Sequence, residues 1–248
     1  MDPIRSVRNP RLQRVRELTR TSERRTQGRF VVEGEDLIEA ALRAGATIDD
    51  LLVREGIEPP PVDGLVPLVV AAETLAAVSA IQSGTRMLAV VRSESLPVAP
   101  TVLTGAALVL CGVGDPGNVG TLLRSAAAFG IEVVVLGAPA ADPTAPKAVR
   151  AAMGATFVVP TLSIDDPAAA YPGARVIALD GAGEMDIADV DLTGPVLIAL
   201  GAEREGLPAA VRRRAEVVCR IPQSPAAESL NVAAAGAIAL AQAYRAQT

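Results

Sequence analysis

The chain has 248 residues, 50% of them apolar and only 2% aromatic, with a formal charge of −5, so one large or two small domains must pack a core mainly from Ala, Val, Leu and Ile. There is no histidine, which excludes a Ser-His-Asp hydrolase and a His-ligated metal enzyme. No run of about eighteen apolar residues is free of charge, which argues against a transmembrane helix, and the arginine-rich N-terminus lacks the apolar stretch of a secretory signal.

The charge is unevenly spread. Residues 1–30 hold nine arginines against Asp2, Glu17 and Glu23, while the rest of the chain is acidic. A basic arm on an acidic body points to a local polyanion contact. The alternative is a solvated helix face in an arginine-rich chain, whose single lysine is Lys147. Cys111 and Cys219 sit in apolar strand-like runs and read as buried free thiols.

In chain order, residues 5–27 read as an arginine-rich helical segment and RFVVEG (29–34) as a short strand. EDLIEAALRA (35–44) places Leu37, Ile38, Ala41 and Leu42 at helical spacing. TIDDLLVRE (47–55) and LVPLVVA (65–71) read as strands on either side of the turn-rich GIEPPPVDG. AAETLAAVSAI (71–81) reads as a helix and MLAVVR (87–92) as a closing strand. Residues 1–92 thus form a small α/β domain. Residues 93–104, with prolines and small polar residues but no period, read as a linker.

Over 105–248 the pattern is stricter. Strand-like runs occur at ALVLCGV, IEVVVLG, TFVVP, RVIALDG, PVLIALG and AEVVCRIP, most of them separated by helical runs, and SLNVAAAGAIALAQAYRAQ ends the chain. Apolar strands alternating with helices indicate a parallel sheet covered on both faces. Its ligands are expected beyond the carboxyl ends of the strands.

Three strand ends stand out. The first, CGVGDPGNVGTLLR, spells GxGxxG with Gly112, Gly114 and Gly117. A dinucleotide cradle needs free N–H groups at a helix N-terminus and an acid at the end of the next strand. Here Pro116 removes an N–H, and the next strand ends in Gly137-Ala138-Pro139. The match is weak. Asn118 and Arg124 follow in the first turns of the helix, and an arginine there suits a phosphate or is simply exposed. The second, LGAEREGLP, places Glu203 between Gly201 and Gly206. Gly201 permits close backbone approach to a ligand, and Glu203 suits either an arginine partner or a helix N-terminus. The third, IPQSPAAESLN, runs through Glu228, Ser229, Leu230 and Asn231 into the last helix. Capping explains one of those polar residues, not both Ser229 and Asn231.

Taken in order, these motifs resemble the SpoU (TrmH-like) family of RNA 2′-O-ribose methyltransferases of the SPOUT superfamily. Asn118, Gly120 and Arg124 match its first motif. Gly201, Glu203, Gly206 and Leu207 match the second. Ile221, Pro222, Ser229, Leu230, Asn231 and Val232 match the third. NPRLQRVRELTR, RFVVEGEDLIEAAL and LAAVSAIQSGTRMLAVV are similar to the substrate-binding domain that often precedes SpoU domains, itself similar to small ribosomal RNA-binding proteins.

The resemblance implies an α/β fold with a SPOUT catalytic domain, a parallel sheet and a deep C-terminal trefoil knot, preceded by a ribosomal-protein-like RNA-binding domain. It implies S-adenosyl-L-methionine as cofactor, held around Leu200, Gly201, Gly206, Ile221, Pro222 and Leu230. Arg124, Asn118, Glu203, Ser229 and Asn231 become the catalytic set, with Glu203 orienting Arg124. Arg124 acts either as general base or, more in keeping with a guanidinium as a poor proton acceptor, by polarising the 2′-oxygen and holding a phosphate. Arg8, Arg11, Arg25 and Arg29 are expected to contact RNA phosphates. The implied protein is a cytoplasmic, metal-free homodimer acting on rRNA in preference to tRNA. A non-catalytic RNA-binding protein and a nicotinamide-dependent oxidoreductase are the competing readings.

Overall fold

A computed structural model describes residues 2–62, 64–80, 84–226 and 229–248. Ile81 and Glu228, both included in the sequence readings, lie outside the described residues. The chain forms two compact units, residues 1–96 with 144–158, and residues 97–143 with 159–248.

The arginine-rich start of the first unit is two short helices, not one segment. α1 (Pro10–Glu17) opens with Pro10 behind the Asn9 cap, whose side chain accepts from the Arg11 N–H. It ends before α2 (Thr21–Gln27). The buried Arg24 spans the junction, donating to the Leu18 and Thr19 carbonyls at 2.9 and 2.8 Å, so it satisfies acceptors that the end of α1 leaves open. Gly28, left-handed at φ 61°, stops α2.

β1 (Arg29–Glu33), α3 (Glu35–Arg43), β2 (Ile48–Arg54), β3 (Leu68–Val70), α4 (Ala72–Ala76) and β4 (Met87–Arg92) follow. The sheet order is β1-β4-β2-β3. β4 runs antiparallel to β1 and β2, and β3 is parallel to β2. Two acids tie this unit together. Asp49 accepts from Arg29 and from Arg92 at 2.6 Å. Asp50, fully buried, accepts from Arg11 and, at 3.2 Å, from Arg14.

The second unit begins with β5 (Ala106–Cys111), α5 (Pro116–Ala128) and β6 (Val133–Gly137). The chain then contributes α6 (Pro146–Ala152) and a 3-10 turn at Ala155–Phe157 to the first unit. TFVVP is therefore not a strand. Phe157 enters the core of the first unit and stacks on Phe30 with ring centroids 6.2 Å apart, so its apolar signal comes from burial in a turn.

The next strand is β7 (Thr161–Ile164), and β8 (Arg175–Leu179), β9 (Met185–Asp186), β10 (Val196–Gly201), α7 (Ala209–Arg214), β11 (Val217–Arg220) and α8 (Val232–Gln247) complete the unit. The seven strands are all parallel, in the order β7-β6-β5-β10-β8-β11-β9. β10 lies between β5 and β8, and β11 between β8 and β9, so the late strands interleave with earlier ones. β5, β6 and most of β10 are buried, as unbroken apolar runs in a doubly covered parallel sheet require. Cys111 and Cys219 are buried free thiols, as their setting in those runs suggested. No described helix is long and apolar enough to cross a membrane.

Candidate active site

β5, β10, β8 and β11 are neighbours in the sheet, so parallel pairing brings their carboxyl ends, and the three unusual turns, to one edge.

The Asp-Pro inside the glycine loop is a helix start. Asp115 caps α5, its side chain accepting the Asn118 N–H at 3.0 Å, and Pro116 occupies the first turn. A carboxylate thus already fills the place a pyrophosphate takes at a dinucleotide-binding helix, which counts against a nicotinamide cofactor.

The turn after β10 folds back on itself. Ala202 and Gly206 exchange hydrogen bonds of 3.2 and 2.9 Å, with Gly206 left-handed at φ 66°. A Cβ on Gly201 would lie 2.2 Å from the Gly206 carbonyl carbon. What approaches Gly201 is therefore its own chain, and the glycine is needed to close the turn that presents Glu203.

Asn231 caps α8. Its Oδ1 accepts from the Ala233 and Ala234 N–H groups at 2.9 and 3.4 Å. That fixes the amide, so Nδ2 must point away from the helix. It donates to Asn118 Oδ1 at 3.3 Å and to Glu203 Oε1 at 3.4 Å. Asn118 Nδ2 in turn donates to Glu203 Oε1 at 2.9 Å. One residue from each motif thus joins a closed triad. Asn231 does two jobs, which is why capping alone did not account for this stretch.

Arg124 stands apart. Six residues beyond Asn118, it lies about 9 Å along α5 and about 120° around its axis. It is exposed and has no hydrogen bond or ion pair among the described residues. The expected Glu203–Arg124 bond is not formed; Glu203 Oε1 accepts from the two asparagine amides instead.

Beside the triad is a cavity of about 210 Å³ at the ends of β8, β10 and β11. Leu200, Gly201, Gly206, Ile221 and Leu230 line it, together with Ser229 and Glu203; Pro222 does not. Leu179, Val232 and Ala235 extend the apolar wall, and Asp180 and Gln223 add polar groups, Gln223 from the third strand end and Asp180 from outside all three. The Asp-Gly closing RVIALDG was the available signal for Asp180. Its carboxylate accepts from Ala182 N–H at 2.9 Å and pairs with Arg212.

Among the described residues, the charged side chains lining this cavity are Asp180 and Glu203, both acidic. That suits a cationic ligand and disfavours a pyrophosphate. The apolar wall suits an adenine face, and Glu203, which has no basic partner among the described residues, suits a cationic sulfonium, so the residues fit S-adenosylmethionine. Among the described residues no group of three or more His, Cys, Asp or Glu is placed to hold a metal ion.

The four arginines expected on RNA divide. Arg8 and Arg25 are exposed and unpaired among the described residues. Arg11 and Arg29 are held by Asp50 and Asp49 and serve the first unit's own packing. Arg16, which was not singled out, is also exposed and without a side-chain partner.

Residues 105–241 match the SpoU rRNA Methylase family, and residues 9–94 match the MRM3-like substrate binding domain. An uncharacterized tRNA/rRNA methyltransferase of Synechocystis is 30% identical, over 98% of this chain and 94% of that protein. The 23S rRNA (guanosine(2553)-2′-O)-methyltransferase RlmP of Bacillus subtilis is 28% identical, over 96% of this chain and 97% of its own. Among solved structures, an AdoMet-bound rRNA methyltransferase from Sinorhizobium meliloti superposes with a TM-score of 0.86 at 28% identity, covering 98% of this chain and 97% of that one.

Proposed function

The chain belongs to the SpoU rRNA methylase family, and on that premise we propose that it transfers a methyl group from S-adenosylmethionine to a ribose 2′-hydroxyl of ribosomal RNA. The observation that carries this reading is the acidic, apolar-walled cavity bordered by the Asn118–Glu203–Asn231 triad.

Leu200, Ile221 and Leu230 would hold the adenosine, while Glu203, which has no basic partner among the described residues, would offset the ligand's positive charge. When bound, S-adenosylmethionine supplies an electrophilic methyl group on sulfur. The chain's own contribution is placement, since in-line displacement depends on holding the attacking oxygen in a narrow range of positions. Asn118 and Asn231 fix the Glu203 carboxylate at the mouth of the cavity, and Ser229 lines its wall. The Arg124 guanidinium polarises the 2′-oxygen and grips the adjacent phosphate, and the hydroxyl proton leaves to water. Its freedom from intramolecular partners supports a role that begins with RNA.

The first unit positions the RNA through Arg8 and Arg25, helped by Arg16. Residues 1–92, joined by 144–158, form the substrate-binding domain, and the rest of 105–248 the catalytic one. The interleaved order of β10 and β11 supports a threaded, knotted C-terminal region. The protein works in the cytoplasm as a homodimer. Ile238 and Tyr244, exposed on α8, offer apolar area for that contact, and a monomer in sedimentation equilibrium would remove it. The relative named for both tRNA and rRNA keeps tRNA as a second acceptor class.

Equilibrium titration separates the enzyme classes. S-adenosylmethionine should bind while NAD and NADP should not. Saturable nicotinamide binding, with none for S-adenosylmethionine, would overturn the reading.

A further inference from the structure

A second cavity, of about 240 Å³, adjoins the first and shares Ala202, Glu203 and Val232 with it. The loop Gly112–Asp115 forms one side and the turn 202–205 the other. We propose that it receives the base of the acceptor nucleotide and that Glu205 selects guanine there. This inference rests on the methyl-transfer reading.

The position follows from the reaction. A 2′-hydroxyl brought to the first cavity carries its own base along, and the second cavity is the adjoining space across the Glu203 turn. Its charges then decide what enters. Asp115, Glu203 and Glu205 face a single cation, Arg204. A net acidic recess repels phosphate, so the RNA backbone is excluded and a neutral base is the group that fits. A Cβ on Gly114 would meet nothing within 4 Å, so the loop leaves room for a flat ring.

Two of the carboxylates are already used. Asp115 caps α5, and Glu203 holds the two asparagine amides. Glu205 has no hydrogen-bond or ion-pair partner among the described residues, and neither has Arg204. An ionised carboxylate is purely an acceptor with two adjacent oxygens. On the Watson–Crick edge only guanine presents two adjacent donors, N1–H and the 2-amino group. Adenine, cytosine and uracil set one donor beside an acceptor that a carboxylate repels. Arg204, planar and unpaired, suits stacking on the base.

The test uses the full-length protein with labelled S-adenosylmethionine and unmodified transcripts of 23S rRNA, 16S rRNA and tRNA. The RNA is digested to nucleosides and the 2′-O-methylated nucleoside identified by mass spectrometry. The expected product is 2′-O-methylguanosine. Glu205→Gln should lower kcat/KM roughly ten- to hundredfold with unchanged affinity for S-adenosylmethionine, and Glu205→Asp should recover part of the loss. Label in another nucleoside, or a Glu205→Gln enzyme as active as the parent, overturns guanine selection and leaves methyl transfer standing. Loss of cofactor binding in Glu205→Gln overturns the assignment of Glu205 to the base. No transfer to any RNA by cofactor-bound protein overturns this inference and the proposed function together.

Discussion

Asn231→Asp separates the two jobs of one side chain. Aspartate is the same size and caps a helix as well as asparagine. The oxygen now bonded to Ala233 and Ala234 stays in place, and its charge near the start of α8 adds about 0.3–1 kcal/mol. The other end changes sign. An oxygen replaces the nitrogen 3.4 Å from Glu203 Oε1 and 3.3 Å from Asn118 Oδ1. Two like charges at that distance repel by about 1 kcal/mol in water and several times that at an effective dielectric near 20. Both residues are exposed, so the lower figure applies. Two hydrogen bonds of about 1 kcal/mol each also go. The sum is a destabilisation of about 2–3 kcal/mol after the dipole gain, too little to unfold a typical domain of this size. Methyl transfer should fall far more, about a hundredfold, because Glu203 and Asn118 are driven apart at the reacting centre. Urea unfolding and initial-rate assays on the same preparation measure both. Asn231→Ala, which loses cap and donor, should lose about 1 kcal/mol from the cap alone. An Asn231→Asp enzyme with parental activity would refute the triad as a working unit.

Four further outcomes follow. Arg124→Ala should lose methyl transfer while keeping S-adenosylmethionine affinity, measured by titration; equal loss of both would move Arg124 into the cofactor site. Gly201→Ala places a Cβ 2.2 Å from backbone, so it should cost about 1–3 kcal/mol in urea unfolding and weaken cofactor binding; a neutral result would mean the turn is looser than described. Burial of Asp49 opposes its ionisation, but the hydrogen bonds from Arg92 and Arg29 outweigh it and hold the carboxyl below its usual value. The stability it contributes is present above the unfolded pKa of about 3.9 and is lost as pH falls through the lowered value. Asp49→Asn should therefore narrow the gap to the parent in acid unfolding as pH drops, and a constant gap would contradict this. Burial pushes the Cys111 and Cys219 thiols up to about 11, so a thiol reagent at pH 8 should label neither until urea unfolds the protein.

The catalytic unit was legible because its strands are unbroken apolar runs and its motifs fall at their ends. Asp115 and Pro116 are a helix-start signal readable from the letters alone. What was not legible depends on partners distant in sequence. Arg11 and Arg29 look like free cations until folding sets them against Asp50 and Asp49. The direction of the Asn231 amide follows from its cap, and its meaning only from Asn118 and Glu203 arriving beside it. TFVVP misled because apolar residues buried in a turn look like a short strand, and the placement of 144–158 in the first unit has no local sequence signal.

The most direct measurement of the central claim is the position of the transferred methyl group. Labelled S-adenosylmethionine, unmodified 23S rRNA and the intact protein are incubated, and the RNA is hydrolysed with alkali. A methyl on a ribose 2′-oxygen blocks cleavage at that linkage, so the account predicts label in alkali-resistant dinucleotides, absent with Arg124→Ala. Label recovered in mononucleotides would place the methyl on a base and contradict the account.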